Sequence, residues 1–143
     1  MEEKLEIHTV GDLFSAVKAR HGTDNGSQTL LENELMRYLV KELRRRTGLQ
    51  CVYSLYRSGK KKRPVYSVSV VPSDIHPDAK SNLTLAVVKK VKMEKEQLII
   101  RFSDMNDRDY NRPPFLYGAD SDISRIAGRT KASYNYFISR LDN

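Results

Sequence analysis

Apolar residues near the start of the chain recur with the period of an α-helix. Thr9 and Asp12 have the spacing of an N-terminal capping box, in which a hydroxyl and a carboxylate satisfy free amides of the first turn. The residues around them place apolar side chains at helical intervals: Val10, Leu13, Phe14 and Val17. This pattern predicts a first helix that ends near Gly22.

A second helical pattern is longer and better delimited. Thr29 and Glu32 again have the capping-box spacing, and Gly48 is suited to end a helix because glycine tolerates a left-handed backbone. Between these signals the apolar positions repeat every fourth residue: Leu31, Leu35, Leu39 and Leu43. We predict a helix of about 17 residues that begins at Leu30 and buries these leucines.

After Gly48 the period changes to that of β-strands. Residues 50–56 and 64–71 are rich in valine and tyrosine and alternate apolar with polar positions in places. They flank a polar turn at 58–62 that contains a glycine and three lysines. We predict a β-hairpin with a basic tip, in which Pro64 is the first residue of the second strand, where its missing amide is tolerated.

Two further apolar runs, 83–91 and 97–102, predict a second hairpin that turns at residues 93–96. The first run also fits a short helix over 83–92, so both interpretations stay open. The stretch 72–81 between the two hairpins is polar and contains a proline, which predicts a loop.

The last third of the chain predicts a long loop followed by a helix. Residues 104–120 have no periodicity and contain two adjacent prolines, and loops of this length in a compact domain are usually functional. We expect this loop to be irregular but ordered, anchored by Phe115, Leu116 and Tyr117. Ser121 or Asp122 can cap the helix, whose apolar positions are Ile123, Ile126, Ala127, Tyr134, Phe137 and Leu141.

The order of elements predicts a single α+β domain over residues 1–143. We expect an antiparallel sheet of two hairpins, packed on one side by two N-terminal helices and one C-terminal helix. The second helix followed by a hairpin with a basic tip resembles the second half of a winged-helix module. That resemblance implies that the second helix lies in the major groove of DNA and that the hairpin touches the backbone.

Positive charge is concentrated in one part of the sequence. Residues 37–63 contain ten lysines or arginines and one acid, whereas the remaining residues contain fifteen bases and seventeen acids. The formal charge of +7 therefore comes from a local patch on a slightly acidic body. Such a patch is typical of a surface that contacts a polyanion.

Candidate nucleic-acid contacts follow from this patch and from two lysines further along the chain. The turn lysines suit phosphate contact, whereas the arginines at the end of the second helix are also explained by the helix dipole. If residues 49–56 are one extended strand, the two groups lie about 25 Å apart and cannot bind one phosphate. The candidate residues are Arg44, Arg45, Arg46, Tyr56, Arg57, Lys60, Lys61, Lys62, Arg63, Lys89 and Lys90.

Tyrosines lie among these cations, at positions 53, 56 and 66. Aromatic rings between cations are typical of single-stranded nucleic-acid sites, where bases stack on them. Strand tyrosines more often pack onto the core, and alternation allows only one face of the strand to be exposed. We therefore expect core packing for most of them.

Motifs for catalysis or cofactor binding are missing from the sequence. The histidines are scattered, no nucleotide-binding loop or nucleophile motif is present, and we predict no cofactor and no metal site. The one cysteine, Cys51, has apolar neighbours and is expected to be a buried structural thiol. With no membrane-spanning run and no signal core, a cytoplasmic location is expected.

These observations favour a non-catalytic nucleic-acid-binding or regulatory protein, with DNA ahead of RNA. An alternative is a small interaction or inhibitor protein of a mobile element that docks on an acidic protein or nucleoprotein surface. A metal-dependent nuclease is a third hypothesis, although residues 92–96 do not have the acid-and-lysine spacing of such enzymes.

Overall fold

The computed structural model of the protein describes residues 6–21, 28–58, 60–61, 63–70, 83–102 and 113–141. In these residues it has three helices and one five-stranded sheet. The helices are α1 (Val10–His21), α2 (Gln28–Thr47) and α3 (Ile123–Leu141), and the strands are β1 (Cys51–Ser58), β2 (Arg63–Val70), β3 (Leu83–Lys92), β4 (Gln97–Phe102) and β5 (Phe115–Tyr117).

The five strands form an antiparallel meander in the order β1-β2-β3-β4-β5. The β1–β2 ladder is regular over all eight residues of each strand, from Cys51↔Val70 to Ser58↔Arg63. The β2–β3 and β3–β4 ladders each contain a register shift. Because every connection reverses the chain, the β1–β2 turn and the β3–β4 turn lie at the same end of the sheet.

The core lies between the helices and one face of the sheet. Alternate strand residues such as Val68, Ile100 and Tyr117 are buried on that face, together with Leu39 of α2 and Ile126 of α3. On the opposite face, Val52, Ser54 and Leu116 are exposed. At the centre of the sheet, Ser67, Ser69 and Val87 of that opposite face are also buried. The three helices and the antiparallel sheet confirm the predicted α+β class.

The helix start predicted at Thr9 is confirmed in detail. The Thr9 hydroxyl accepts the amide of Asp12 at 3.1 Å, and the Asp12 carboxylate accepts the amide of Thr9 at 3.1 Å. The same segment pairs with the start of α3, where the Ile123 amide donates to the carbonyl of His8 at 2.9 Å. These bonds hold the first turns of α1 and α3 together.

The predicted start of α2 is wrong, whereas its end is confirmed. The helix begins at Gln28, before the proposed capping residue, and the carboxylate of Glu32 accepts the hydroxyl of Tyr66 at 2.6 Å inside the protein. Glu32 therefore links α2 to the sheet. Gly48 has a φ of 73° and donates its amide to the carbonyl of Arg44 at 2.9 Å, which closes the helix.

The structure also assigns residues 83–92 and the end of the segment predicted to be a loop. Residues 83–92, for which a helix was an alternative, form strand β3. The stretch predicted to be irregular contains β5, which pairs with β4 through Leu98↔Tyr117 to Ile100↔Phe115. Phe115 and Tyr117 pack on the core as expected, whereas Leu116 is 59% exposed. The predicted loop 72–81 and residues 104–112 lie outside the described residues.

In the part of the chain that the structure describes, no helix is long and apolar enough to cross a membrane.

Candidate nucleic-acid interface

The tip of the β1–β2 hairpin presents two of the predicted lysines. Lys60 and Lys61 form the turn beyond the Ser58↔Arg63 pair, and both are exposed. Residues 59 and 62 and the side chains of 56–58 and 63 lie outside the described part, so the predictions for Tyr56, Arg57, Lys62 and Arg63 stay predictions.

A β-bulge presents Lys89 and Lys90, the two other candidate lysines. Val88 pairs with Ile100 and Lys90 pairs with Ile99, which leaves Lys89 as the additional residue. In a regular strand, side chains alternate between the two faces of the sheet, so Val88 and Val91, three residues apart, would lie on opposite faces. The additional residue places both valines on the same face. The two valines are buried, and both lysines are exposed.

The two pairs of lysines lie at the same end of the sheet. Tyr66 of β2 pairs with Val88 of β3, so distances toward the turn can be counted from this pair. Lys61 lies five residues from Tyr66 in that direction, and Lys90 lies two residues from Val88 in the same direction. At 3.3 Å per residue the two pairs are offset by roughly 10 Å, which is the axial rise of about three base pairs of B-DNA.

The turn between β3 and β4 adds to this surface. Lys92 and Lys95 lie beside two acids there, the exposed Glu94 and the partly buried Glu96, and Glu96 forms an ion pair with Lys18 at 3.1 Å. One acid of the turn is thus already neutralised. We call the resulting surface the lysine end: Lys60, Lys61, Lys89, Lys90, Lys92 and Lys95.

The arginines at the end of α2 lie at the other end of β1 and make specific contacts. The Arg44 Nε donates to the carbonyl of Cys51 at 2.6 Å, and the Arg46 Nη2 donates to the carbonyl of Ile7 at 2.8 Å. Arg45 bonds both oxygens of Glu42, with a shortest distance of 2.8 Å. These arginines fasten α2 to the N-terminal segment and to β1, and only part of their charge remains for a ligand.

Two of the tyrosines belong to the core, as expected. Tyr66 is 3% exposed, and its ring stacks on that of Tyr53 with centroids 6.3 Å apart. Burial raises the pKa of Tyr53, and the nearby Arg37 guanidinium partly offsets the effect. Neither ring is available for stacking on a base.

Groups that could perform catalysis do not cluster among the described residues. No group of three or more histidines, cysteines or acids is arranged to hold a metal ion there. Cys51 is buried, as predicted, and this burial raises the pKa of its thiol, which disfavours the nucleophilic thiolate.

Comparison with protein-family models, with curated proteins and with solved structures gave no match. The winged-helix analogy therefore gains no support from a known structure. In the described structure, α2 packs against α1, α3 and β1, and only a narrow strip of it is exposed.

Proposed function

We propose that the protein is a non-catalytic nucleic-acid-binding or regulatory protein that binds the phosphate backbone with its lysine end. The observation that carries this proposal is the convergence of Lys60 and Lys61 with Lys89 and Lys90 at one end of the sheet. These pairs come from separate parts of the sequence, and a bulge is needed to expose the second pair. Phosphate neutralisation by such lysines releases counterions and favours binding.

The chemistry of the surface favours contacts with phosphates over base reading. Lysine carries a compact charge on a flexible stem, whereas base-specific contacts typically use the planar fork of arginine. We therefore expect binding that depends weakly on sequence. DNA is favoured over RNA because an exposed two-stranded ribbon fits the major groove of B-DNA, whereas the major groove of A-form RNA is too narrow for side chains to read.

Binding should be measured by fluorescence anisotropy with double-stranded DNA, single-stranded DNA and RNA of unrelated sequences over a range of salt concentrations. For phosphate contact by four lysines we expect log Kd to rise linearly with log salt, with a slope of about 3 to 4 on duplex DNA. Absence of binding to all three nucleic acids at low salt would contradict the proposal. Tighter binding to RNA would overturn the preference for DNA.

We also propose that the protein acts in the cytoplasm. A single free thiol that is buried in the core is compatible with a reducing compartment. Cell fractionation followed by immunodetection tests this location, and recovery in an extracellular fraction would contradict it.

A further inference from the structure

Strand β1 forms one edge of the sheet and has an open side. Among the described strands it pairs with β2 alone, over eight residues without a register shift. Val52 is 38% exposed and Leu55 is 36% exposed. The amide and the carbonyl of Cys51 are already bonded to Leu49 and Arg44, so the outer side of β1 beyond Cys51 offers backbone amides and carbonyls, with apolar side chains beside them, to another strand.

The two edges of the sheet differ in how they are protected. The edge strand β5 has only three residues and follows Pro113 and Pro114, which are features that discourage pairing. Strand β1 has eight residues, no proline, no bulge in its ladder, and one charged residue, Arg57, near its end. Natural edge strands without such protection commonly serve as binding sites for an added strand.

Cations of α2 flank this open edge on the side of the sheet that carries the helices. The guanidinium of Arg44 lies 2.6 Å from the carbonyl oxygen of Cys51. Arg37, two helical turns earlier, is exposed, and its guanidinium lowers the pKa of Tyr53 against the larger effect of burial, which raises it. Cys51 and Tyr53 share the face of β1 that carries the helices, and the two arginines are about 10 Å apart along α2 at 1.5 Å per residue.

This charge distinguishes between two possible occupants of the edge. If two copies paired through β1 in a continuous antiparallel sheet, their helical layers would lie on the same face. The α2 helices would then face each other, with Arg37 and Arg44 of both copies close together, and like charges at such a contact are unfavourable. An acidic strand would instead place carboxylates beside both arginines.

We propose that the open edge of β1 binds an extended acidic segment of another protein by strand addition. The segment has carboxylates at alternate positions, which face Arg37 and Arg44, and small apolar or hydroxyl side chains between them, which lie on the face of Val52. Backbone hydrogen bonds supply affinity, and the two arginines select the acidic partner. This site is separate from the lysine end and does not depend on nucleic-acid binding.

The probe is a fluorescent peptide of eight residues, the length of β1, with glutamate at every second position and valine or threonine between. A peptide of the same composition with its glutamates grouped at one end is the pattern control. We expect the alternating peptide to bind several-fold more tightly than the grouped one, because only alternation presents carboxylates on one face. Equal binding of both peptides would contradict the proposal.

The protein variant for this test is Arg37→Glu, and the matched control is Lys41→Glu. Lys41 is an exposed cation of the same helix, but it lines the groove between α1 and α2 rather than the β1 edge. We expect Arg37→Glu to weaken peptide binding by roughly five- to tenfold and Lys41→Glu to change it by less than about twofold. Similar losses in both would show that general charge, not the edge, attracts the peptide. Oligonucleotide affinity should differ little between the two variants.

Backbone methylation tests strand addition itself. An added strand directs alternate amides toward β1 and the others toward solvent, so N-methylation of one alternate set should abolish binding and methylation of the other should be tolerated. Equal effects of both sets would contradict strand addition. In sedimentation analysis we expect a monomer. A dimer that Val52→Lys dissociates would show that a second copy occupies the edge and would overturn the proposal.

Discussion

At the scale of single residues, two reciprocal hydrogen bonds between Thr9 and Asp12 close the first turn of α1. Thr9 and Asp12 form the capping box that their spacing indicates, because both partners are three residues apart in one helical turn. Thr29 and Glu32 have the same spacing, yet Glu32 accepts the hydroxyl of Tyr66, 34 residues away. Spacing identifies local partners, and it cannot show that a distant strand also offers a donor.

The arginines at the end of α2 likewise bond to partners that the local sequence does not indicate. Their sequence suits both a helix dipole and a phosphate. The structure shows carbonyl oxygens as acceptors for Arg44 and Arg46, and one of these belongs to Ile7, 39 residues away. A contact of that kind depends on the tertiary fold, so it could not be predicted from the local sequence.

Asp12 should make the stability of the protein depend on acidic pH. Its carboxylate accepts the amides of His8 and Thr9, and these bonds lower its pKa from the ordinary 3.8. Because the pKa of Asp12 is lower in the folded protein than in the unfolded chain, its ionised carboxylate stabilises the fold at pH values above the ordinary pKa. This stabilisation is lost as the pH falls through the lowered pKa. In urea unfolding, Asp12→Asn should be less stable than the wild type at neutral pH, and the gap should narrow as the pH falls below the ordinary value of 3.8. A gap that stays constant with pH would contradict this role.

Leu39 should contribute strongly to the stability of the core, as the recurrence of leucine at every fourth position of α2 indicates. It is 1% exposed, so Leu39→Ala removes buried apolar atoms and leaves a cavity. We expect the free energy of unfolding to fall by about 2 to 5 kcal/mol. Chemical denaturation measures it, with Lys41→Ala on the exposed side of the same helix as the control. A loss below about 1 kcal/mol at Leu39 would mean that the core differs from the one described.

At the scale of elements, periodicity predicts regular segments and misses irregular ones. The bounds of β4 match the prediction, and β1 and β2 differ from it by one or two residues. The bulge at Lys89 and the short strand β5 were not predicted. Both features form hydrogen bonds with the neighbouring strand β4, and the local sequence of one segment does not indicate which strand lies beside it.

The end of α2 provides a test at this scale. Gly48 has a φ of 73°, and an added Cβ would meet no atom within 4 Å, so only the left-handed backbone opposes a side chain. We expect Gly48→Ala to destabilise the protein by about 1 kcal/mol. Gly128→Ala is the matched control: this glycine lies in α3 with equally open space, and alanine should stabilise the protein by roughly 0.5 to 1 kcal/mol. Changes of the same sign in both variants would contradict the assignment of Gly48 as a helix-ending residue.

At the scale of the whole molecule, the meander rearranges the charges of the sequence. The basic patch 37–63 is divided between the two ends of β1, as the length of an extended strand predicts. Lys89 and Lys90, which lie outside that patch in sequence, come to the same end as Lys60 and Lys61. The charge pattern of the sequence predicts a polyanion as the ligand, whereas the topology determines which lysines share one surface.

The central claim is that both lysine pairs contact one polyanion while the α2 cations do not. The most direct test is the salt dependence of duplex DNA binding for three charge-matched double variants: Lys60→Ser with Lys61→Ser, Lys89→Ser with Lys90→Ser, and Lys41→Ser with Arg45→Ser. We expect each lysine-pair variant to bind more weakly and to lower the slope of log Kd against log salt by about 2, with the α2 variant close to the wild type. An equal or larger loss for the α2 variant, or an unchanged slope for either lysine pair, would contradict the account.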